Sequence, residues 1–369
     1  MKSLKIIVGL FVLFFSFNGF SQGSLTPPGA PTPTMKTLDQ VEARVPVSGS
    51  TNITQSGSYY LTGNVTNGGI TISASDVILD LNGHAMNPIT SGSAGIKLIG
   101  TTNAPLYRVI VKNGSISHFV SGIEVQNILG CRFENLIIGD NTSKGFFANA
   151  DAGICSGNII EKCIFSQNTL YGIEFYPRNG GQCSGNVIRD CSIFLSNKGI
   201  FLYGGAECSG NQIVDCLIAG NSQEGIYLYN WQSDCNANVI RSCTVQGNTL
   251  YGIYLYSRGG GGQCDGNLIV DCSFQNNEGG GIYLNGIEGG QCKGNRIEGN
   301  IFRENGTYAI EASGNCAHNL YVRNSSFDSQ YNFSVSDCYG PVVSDSGELS
   351  SSGKASHPWA NFCHPELPQ

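Results

Sequence analysis

The sequence predicts an all-β chain wound into a parallel β-helix of about nine coils, with a cap at each end. Three observations carry that prediction. First, the phrase Cys-x-x-Asn recurs at Cys155/Asn158, Cys183/Asn186, Cys208/Asn211, Cys235/Asn238, Cys264/Asn267, Cys292/Asn295 and Cys316/Asn319. The steps of 28, 25, 27, 29, 28 and 24 residues fall in the range of solenoid repeats. Second, short runs such as Asn186-Val-Ile-Arg and Gly252-Ile-Tyr-Leu-Tyr alternate apolar with polar residues, the period of a strand with one buried face. Third, no stretch of the mature chain carries a helical period. Each copy has room for about three short strands, and stacked copies form parallel sheets around one axis.

Within a copy, the position five residues after the Asn is Cys163, Cys191, Cys216, Cys243 or Cys272, and then Asn300 or Asn324. This exchange of Cys for Asn marks one small interior corner in every coil. A further Asn follows at Asn168, Asn197, Asn221, Asn248, Asn277 and Asn305. Recurring Asn fits an interior ladder, each amide bonding to the backbone of neighbouring coils. Each copy then reaches a strand phrase, GIEFY, GIFLY, GIYLY, GIYLY, GIYLN and finally AIEAS. Ile, Val, Phe and Tyr favour strands, and the bounding Gly, Asn and Ser suit tight corners.

Taken in order, residues 1–21 read as a secretory signal peptide: Lys2 and Lys5, an apolar run from Ile6 to Phe15, then small or polar residues to Ser21. The run is too short to span a membrane, so the mature chain is expected to be secreted, periplasmic or at the cell surface. Residues 22–35 form a Pro-rich linker. Residues 36–66 are expected to be an N-terminal cap, since an open solenoid end exposes core and strand edge. The β-helix proper is placed at 67–329 and a C-terminal cap or strap at 330–369, with Trp359 and Phe362.

Without Lys2 and Lys5, the chain carries 18 basic against 27 acidic residues, a net charge of −9. That balance argues against nucleic acid and anionic membranes as partners. Fifteen cysteines in an exported chain ordinarily suggest a disulfide framework. Here twelve fall in the two columns described above, one per coil. In-register side chains on neighbouring strands point the same way, which suits the disulfide bond poorly. Buried thiol stacks are expected, with inter-coil disulfides as the alternative. Zinc is disfavoured, because a linear column is not tetrahedral.

The repeat and the earlier phrase GGITISASDVILDLNGHAM at 68–86 resemble the right-handed parallel β-helix proteins of the pectin-lyase-like superfamily, over roughly residues 51–345. The resemblance implies the fold. It does not select an activity, because that superfamily contains lyases, hydrolases, epimerases, adhesins and repeat proteins.

In the Gly-Ile-x-Leu-Tyr strand, Ile and Leu share the core face, so the residues between and after them point outward. One outward column reads Lys97, Glu124, Phe147, Glu174, Phe201, Tyr227, Tyr254, Tyr283 and Glu311, and its neighbour includes Tyr176, Tyr203, Tyr229 and Tyr256. Arg178, Trp231 and Arg258 stand just beyond. So much aromatic area facing solvent predicts a ligand platform. Rings would stack on sugar C–H faces with hydroxyls at the edge, and the two arginines would grip a carboxylate or sulfate. The competing reading is structural: Tyr and Phe stabilise sheets by cross-strand stacking, and the C-terminal strap would cover them.

The resemblance places catalytic acids, or calcium-binding Asp with a catalytic Arg or Lys, on this sheet, where the present chain has Tyr. The Asn-Thr-Asp, Asp-Asp, Gly-His-Gly and Arg-Ile-Lys of polygalacturonases and the Asp-Pro-His of alginate epimerases are missing, so no catalytic residue is assigned. Glu124 and Glu174 share a column, and Tyr is an acid or base for a lyase. A second polar column, Asp190, Asp215, Ser242 and Asp271, would suit Ca²⁺, but solvated corner charges beside Arg189 and Arg241 account for it. No metal or cofactor is expected. The sequence thus predicts an exported polysaccharide-binding β-helix, the alternatives being a polysaccharide lyase or glycoside hydrolase and a structural or adhesive surface protein.

Overall fold

The computed structural model describes residues 44–90, 92–327, 329–344 and 357–364. The expected signal peptide, the Pro-rich linker and the first part of the expected N-terminal cap lie outside these residues. Within them the chain is a parallel β-solenoid. A 12-stranded parallel sheet takes one strand from each coil, from Thr51–Ile53 through Tyr251–Arg258 to Gln330–Asn332. A 23-stranded sheet collects shorter strands, two per coil over most of its length, such as Val239–Arg241 and Thr244–Gln246. Short strands such as Cys292–Lys293 and Cys316–Ala317 line the third side.

The 12-stranded sheet has more rungs than the nine coils expected. Thr51–Ile53 and Ile70–Ile72 continue it at the start and Gln330–Asn332 at the end. Residues 45–61 therefore add strands in register with the next coil, Val45 opposite Tyr59 and Ser58 opposite Ile78. At the far end, Asn361–His364 pairs with Ser325–Phe327 and with Val342–Val343. That strand extends the 23-stranded sheet, so this part of the expected strap does not lie over the aromatic columns.

Each Cys-x-x-Asn phrase forms a corner. The Asn side chains stack as a ladder from Asn158 to Asn319, all at most 4% exposed. The Asn238 backbone N–H donates to Asn267 Oδ1 at 2.9 Å, and its amide Nδ2 donates to the same oxygen at 3.1 Å. The ladder begins at the Cys131 N–H and ends on Asp337 Oδ1. A second ladder continues the other thiol column: Cys272 N–H donates to Asn300 Oδ1, Asn300 to Asn324 and Asn324 to Asn361, at 2.9–3.1 Å. Cys and Asn thus occupy the same corner. The third ladder corrects the sequence reading at one rung. Ser196, not Asn197, stands between Asn168 and Asn221, and its N–H donates to Asn221 Oδ1 at 3.1 Å.

The column Asp190, Asp215, Ser242 and Asp271 sits between the two short strands of each coil at φ of 53–55°. Asp tolerates that left-handed turn, which accounts for the residue type at these corners. The φ values of 63° at His118 and 58° at His318 place these side chains at similar turns.

Thirteen thiols, Cys131 to Cys316, are buried, while Cys338 is exposed and Cys363 half-buried. Burial pushes the Cys131 thiol up to about 11, away from the reactive thiolate. The folded protein is expected to give only Cys338, followed slowly by Cys363, to a small disulfide reagent. The remaining 13 thiols should react once the chain is unfolded. Rapid reaction of more than these two under native conditions would show that the columns are open.

Candidate functional site

The outward face of the 12-stranded sheet brings the sequence-predicted aromatics together. Register pairs Phe201 with Tyr227 and Tyr203 with Tyr229, then Tyr227 with Tyr254 and Tyr229 with Tyr256, then Tyr254 with Tyr283. The rings stack along each column. Centroids lie 5.3 Å apart for Phe201–Tyr227, 5.2 Å for Tyr227–Tyr254 and 4.9 Å for Tyr254–Tyr283, with planes 12–21° apart. In the neighbouring column Tyr176–Tyr203 is at 4.7 Å and Tyr229–Tyr256 at 5.5 Å. Stacked this closely, the rings turn their faces to each other and their edges outward.

Two expectations change in detail. Phe201 does not face solvent: it is 8% exposed, enclosed by Tyr171, Tyr203 and Tyr227 at centroid distances of 5.0–6.0 Å. The tyrosines of both columns are half-buried, because each ring covers its neighbours. Trp231 remains 45% exposed.

A third outward column was not legible from alternation: Lys144, Tyr171, Lys198, Glu224 and Tyr251. Strict period 2 would turn Tyr251 inward with Ile253, but Gly252 interrupts the pleat. A Cβ there would lie 2.7 Å from the Gly281 carbonyl oxygen and 2.8 Å from Phe274, so only glycine fits. Tyr251 accordingly packs on Tyr283 at 4.8 Å and Tyr254 at 5.5 Å. The signal for this column is the residue that precedes each Gly-Ile.

The cations of the face are paired. Arg258 Nε lies 2.7 Å from Glu288 Oε2 and Nη2 lies 2.9 Å from Oε1, with the guanidinium 5.4 Å from the Trp231 ring centroid. Arg178 Nη2 donates to Asp151 Oδ2 at 3.2 Å and lies 4.7 Å over Tyr176. Lys144 and Lys198 each lie 2.5 Å from a buried carboxylate, Glu174 and Glu224, while Lys97 lies 3.7 Å from Glu124.

Burial pushes the Glu174 carboxyl above its ordinary value, and Lys144 draws it part of the way back. At 3% exposure, Glu174 is closed off from an incoming chain. Burial likewise raises the phenols of Tyr203, Tyr229 and Tyr254, and takes Tyr251 up to about 12. These hydroxyls stay neutral hydrogen-bonding groups rather than bases.

The fold and this face define a parallel β-helix protein with an aromatic sheet. The chain belongs to the NosD family, described as periplasmic copper-binding protein, which matches residues 47–334, a family of right-handed β-helices. The chain is similar to the catalytic domain of a GH87 α-1,3-glucanase solved in complex with nigerose, at 15% identity and TM-score 0.54, covering 87% of this chain and 63% of that one. It is similar to the Dettilon tailspike protein gp208, at 12% identity and TM-score 0.52, covering 87% and 61%. It is also similar to pectate lyase Pel9A, at 17% and 0.50, covering 76% of each chain. At these identities the likeness is one of fold. Curated proteins give no match to the chain.

The family description names copper. Among the described residues no three His, Cys, Asp or Glu side chains converge. Soft thiolates would suit Cu(I), but the column thiols are at most 3% exposed and turn to backbone carbonyls, as Cys216 Sγ does to Ile188 O at 3.7 Å. The described residues do not fit a copper centre. Nor is any described helix long and apolar enough to cross a membrane.

Proposed function

We propose that this chain is an exported polysaccharide-binding β-helix whose ligand lies along the aromatic sheet. The observation that carries the reading is the pair of half-buried ladders, from Tyr176 to Tyr256 and from Tyr227 to Tyr283. They repeat one coil at a time in a direction that a linear chain can follow. The strand spacing of about 4.8 Å is close to one sugar unit, so successive rings meet successive units. Trp231 supplies an exposed ring at the rim, and the expected leader peptide and the family's periplasmic description fit an exported chain. The fold is also one on which a glucanase has been solved with nigerose bound.

The test is affinity electrophoresis through gels containing polysaccharides, comparing the mature chain with its Tyr229→Ala/Tyr256→Ala variant. The wild type should be retarded, and the variant, with unchanged circular dichroism, should bind about tenfold or more weakly. Retardation by no glycan would overturn the reading. Self-association lost in the variant would favour a structural or adhesive surface protein. Release of reducing or unsaturated ends by wild type would move the assignment to a glycoside hydrolase or lyase.

A further inference from the structure

We infer that the glycan taken by this face is neutral, held through hydroxyl groups at the ring edges rather than by cation–carboxylate contacts. The inference rests on the polysaccharide-binding reading above and specifies its ligand. Five cations stand on or beside the aromatic sheet, and each is already matched by a carboxylate of the chain itself: Lys97 by Glu124, Lys144 by Glu174, Arg178 by Asp151, Lys198 by Glu224 and Arg258 by Glu288. The guanidinium of Arg258, which has the planar fork suited to a uronate or sulfate, gives its Nε/Nη2 edge to Glu288, so its charge is already matched. A sixth carboxylate, Glu311, stands beside Tyr283 in the same sheet with no cation in any of these pairs. An anionic sugar would therefore meet a face on which, among the described residues, each of these cations already has a carboxylate beside it, and its own charge would face that carboxylate.

What the face does offer is neutral and polar. Tyr203, Tyr229 and Tyr256 make no side-chain hydrogen bond to the protein among the described residues, and burial keeps Tyr203 and Tyr229 protonated. At the far end, Asn285 Nδ2 donates to Tyr254 Oη at 3.2 Å, and Tyr283 Oη lies 2.7 Å from Ser313 Oγ. Phenol, amide and hydroxyl groups spaced one coil apart are donors and acceptors for sugar hydroxyls. Because ring faces are occupied by neighbouring rings, the glycan rests on edges and hydroxyls, with Trp231 as the most exposed ring.

The experiment runs wild type and the Asp151→Asn/Glu288→Gln variant, which releases Arg178 and Arg258, through two sets of gels. One set contains neutral polysaccharides (a β-glucan, an α-glucan, a xylan, a galactomannan), the other polygalacturonate and alginate, each at low and high salt. Wild type should be retarded by a neutral polysaccharide, changing less than about twofold with salt, and not by either acidic one. The variant should gain salt-sensitive retardation by an acidic one. Salt-sensitive binding of wild type to polygalacturonate or alginate would overturn this inference and leave the platform reading intact. Failure of the variant to gain acidic binding would overturn the charge argument. Retardation by nothing would overturn both readings together.

Discussion

Asn267→Ala is expected to cost about 3–5 kcal/mol of unfolding free energy, among the largest losses open to a single side chain here. Asn267 is 1% exposed. Its Oδ1 accepts from the Asn238 N–H and Nδ2, and its Nδ2 donates to Asn295 Oδ1 at 3.0 Å. Truncation orphans the buried Asn238 backbone N–H, at about 1–3 kcal/mol, removes one of the bonds of the Asn238 amide, which keeps the Cys208 carbonyl at 3.2 Å, and takes the Asn267 donor from Asn295. Because coils contact only their neighbours, the damage falls on the central interface, and urea unfolding followed by circular dichroism should shift its midpoint strongly. Asn238→Ala combined with Asn267→Ala should cost less than the two single changes added, since the same bonds are lost. A loss under about 1 kcal/mol would mean that the ladders merely accompany the fold and that apolar burial holds the corners.

The ladders were legible because a parallel solenoid places one residue per coil at each corner, so a structural column becomes a sequence period. The ends were less legible. Thr51–Ile53 pairs in register with the sheet and Gln330–Asn332 pairs with it across a register shift between Tyr308 and Ile310, yet neither carries a Cys-x-x-Asn phrase, because their outer neighbours impose no ladder on them. The slip at Asn197 has a similar cause. The rung follows a residue of positive φ, as at Gln167, Asn276 and Glu304, and in this coil that residue is Leu195 at φ 56°. Ser196 therefore takes the rung and Asn197 falls one place beyond it. A positive φ at Leu leaves no mark in composition.

At the candidate site, alternation gave the two tyrosine columns but not the third, since glycine interrupts the pleat ahead of Ile253. Ring stacking and ion pairing were also out of reach, although their logic is one of period. Arg178 and Asp151 are 27 residues apart and Arg258 and Glu288 are 30, each about one coil. A charge in such a fold finds its partner one repeat away, so the arginines read as ligand-gripping groups in isolation are occupied by their neighbours.

Lys144→Met is the second change expected to be severe, and its effect should depend on pH. Lys144 Nζ lies 2.5 Å from Glu174 and 3.4 Å from the Phe147 ring centroid. Met keeps the length and apolar stem of the side chain but leaves the buried Glu174 charge alone, a loss of about 3–5 kcal/mol at neutral pH. Glu174 already sits above its ordinary value, burial outweighing Lys144, and loss of the cation raises it further. The sign follows. A carboxyl raised in the fold binds its proton more tightly there than in the unfolded chain, so its penalty is absent below the unfolded value and grows as pH rises through the folded one. The difference in unfolding free energy between variant and wild type should therefore be largest near neutrality and shrink toward the ordinary carboxyl range near ~4.3. Adding Glu174→Gln removes the charge itself, so the Lys144→Met/Glu174→Gln double variant should recover much of the loss and flatten its pH dependence. An equal loss at both pH values, untouched by Glu174→Gln, would assign the damage to the Lys144 contact with Phe147 instead of the ion pair.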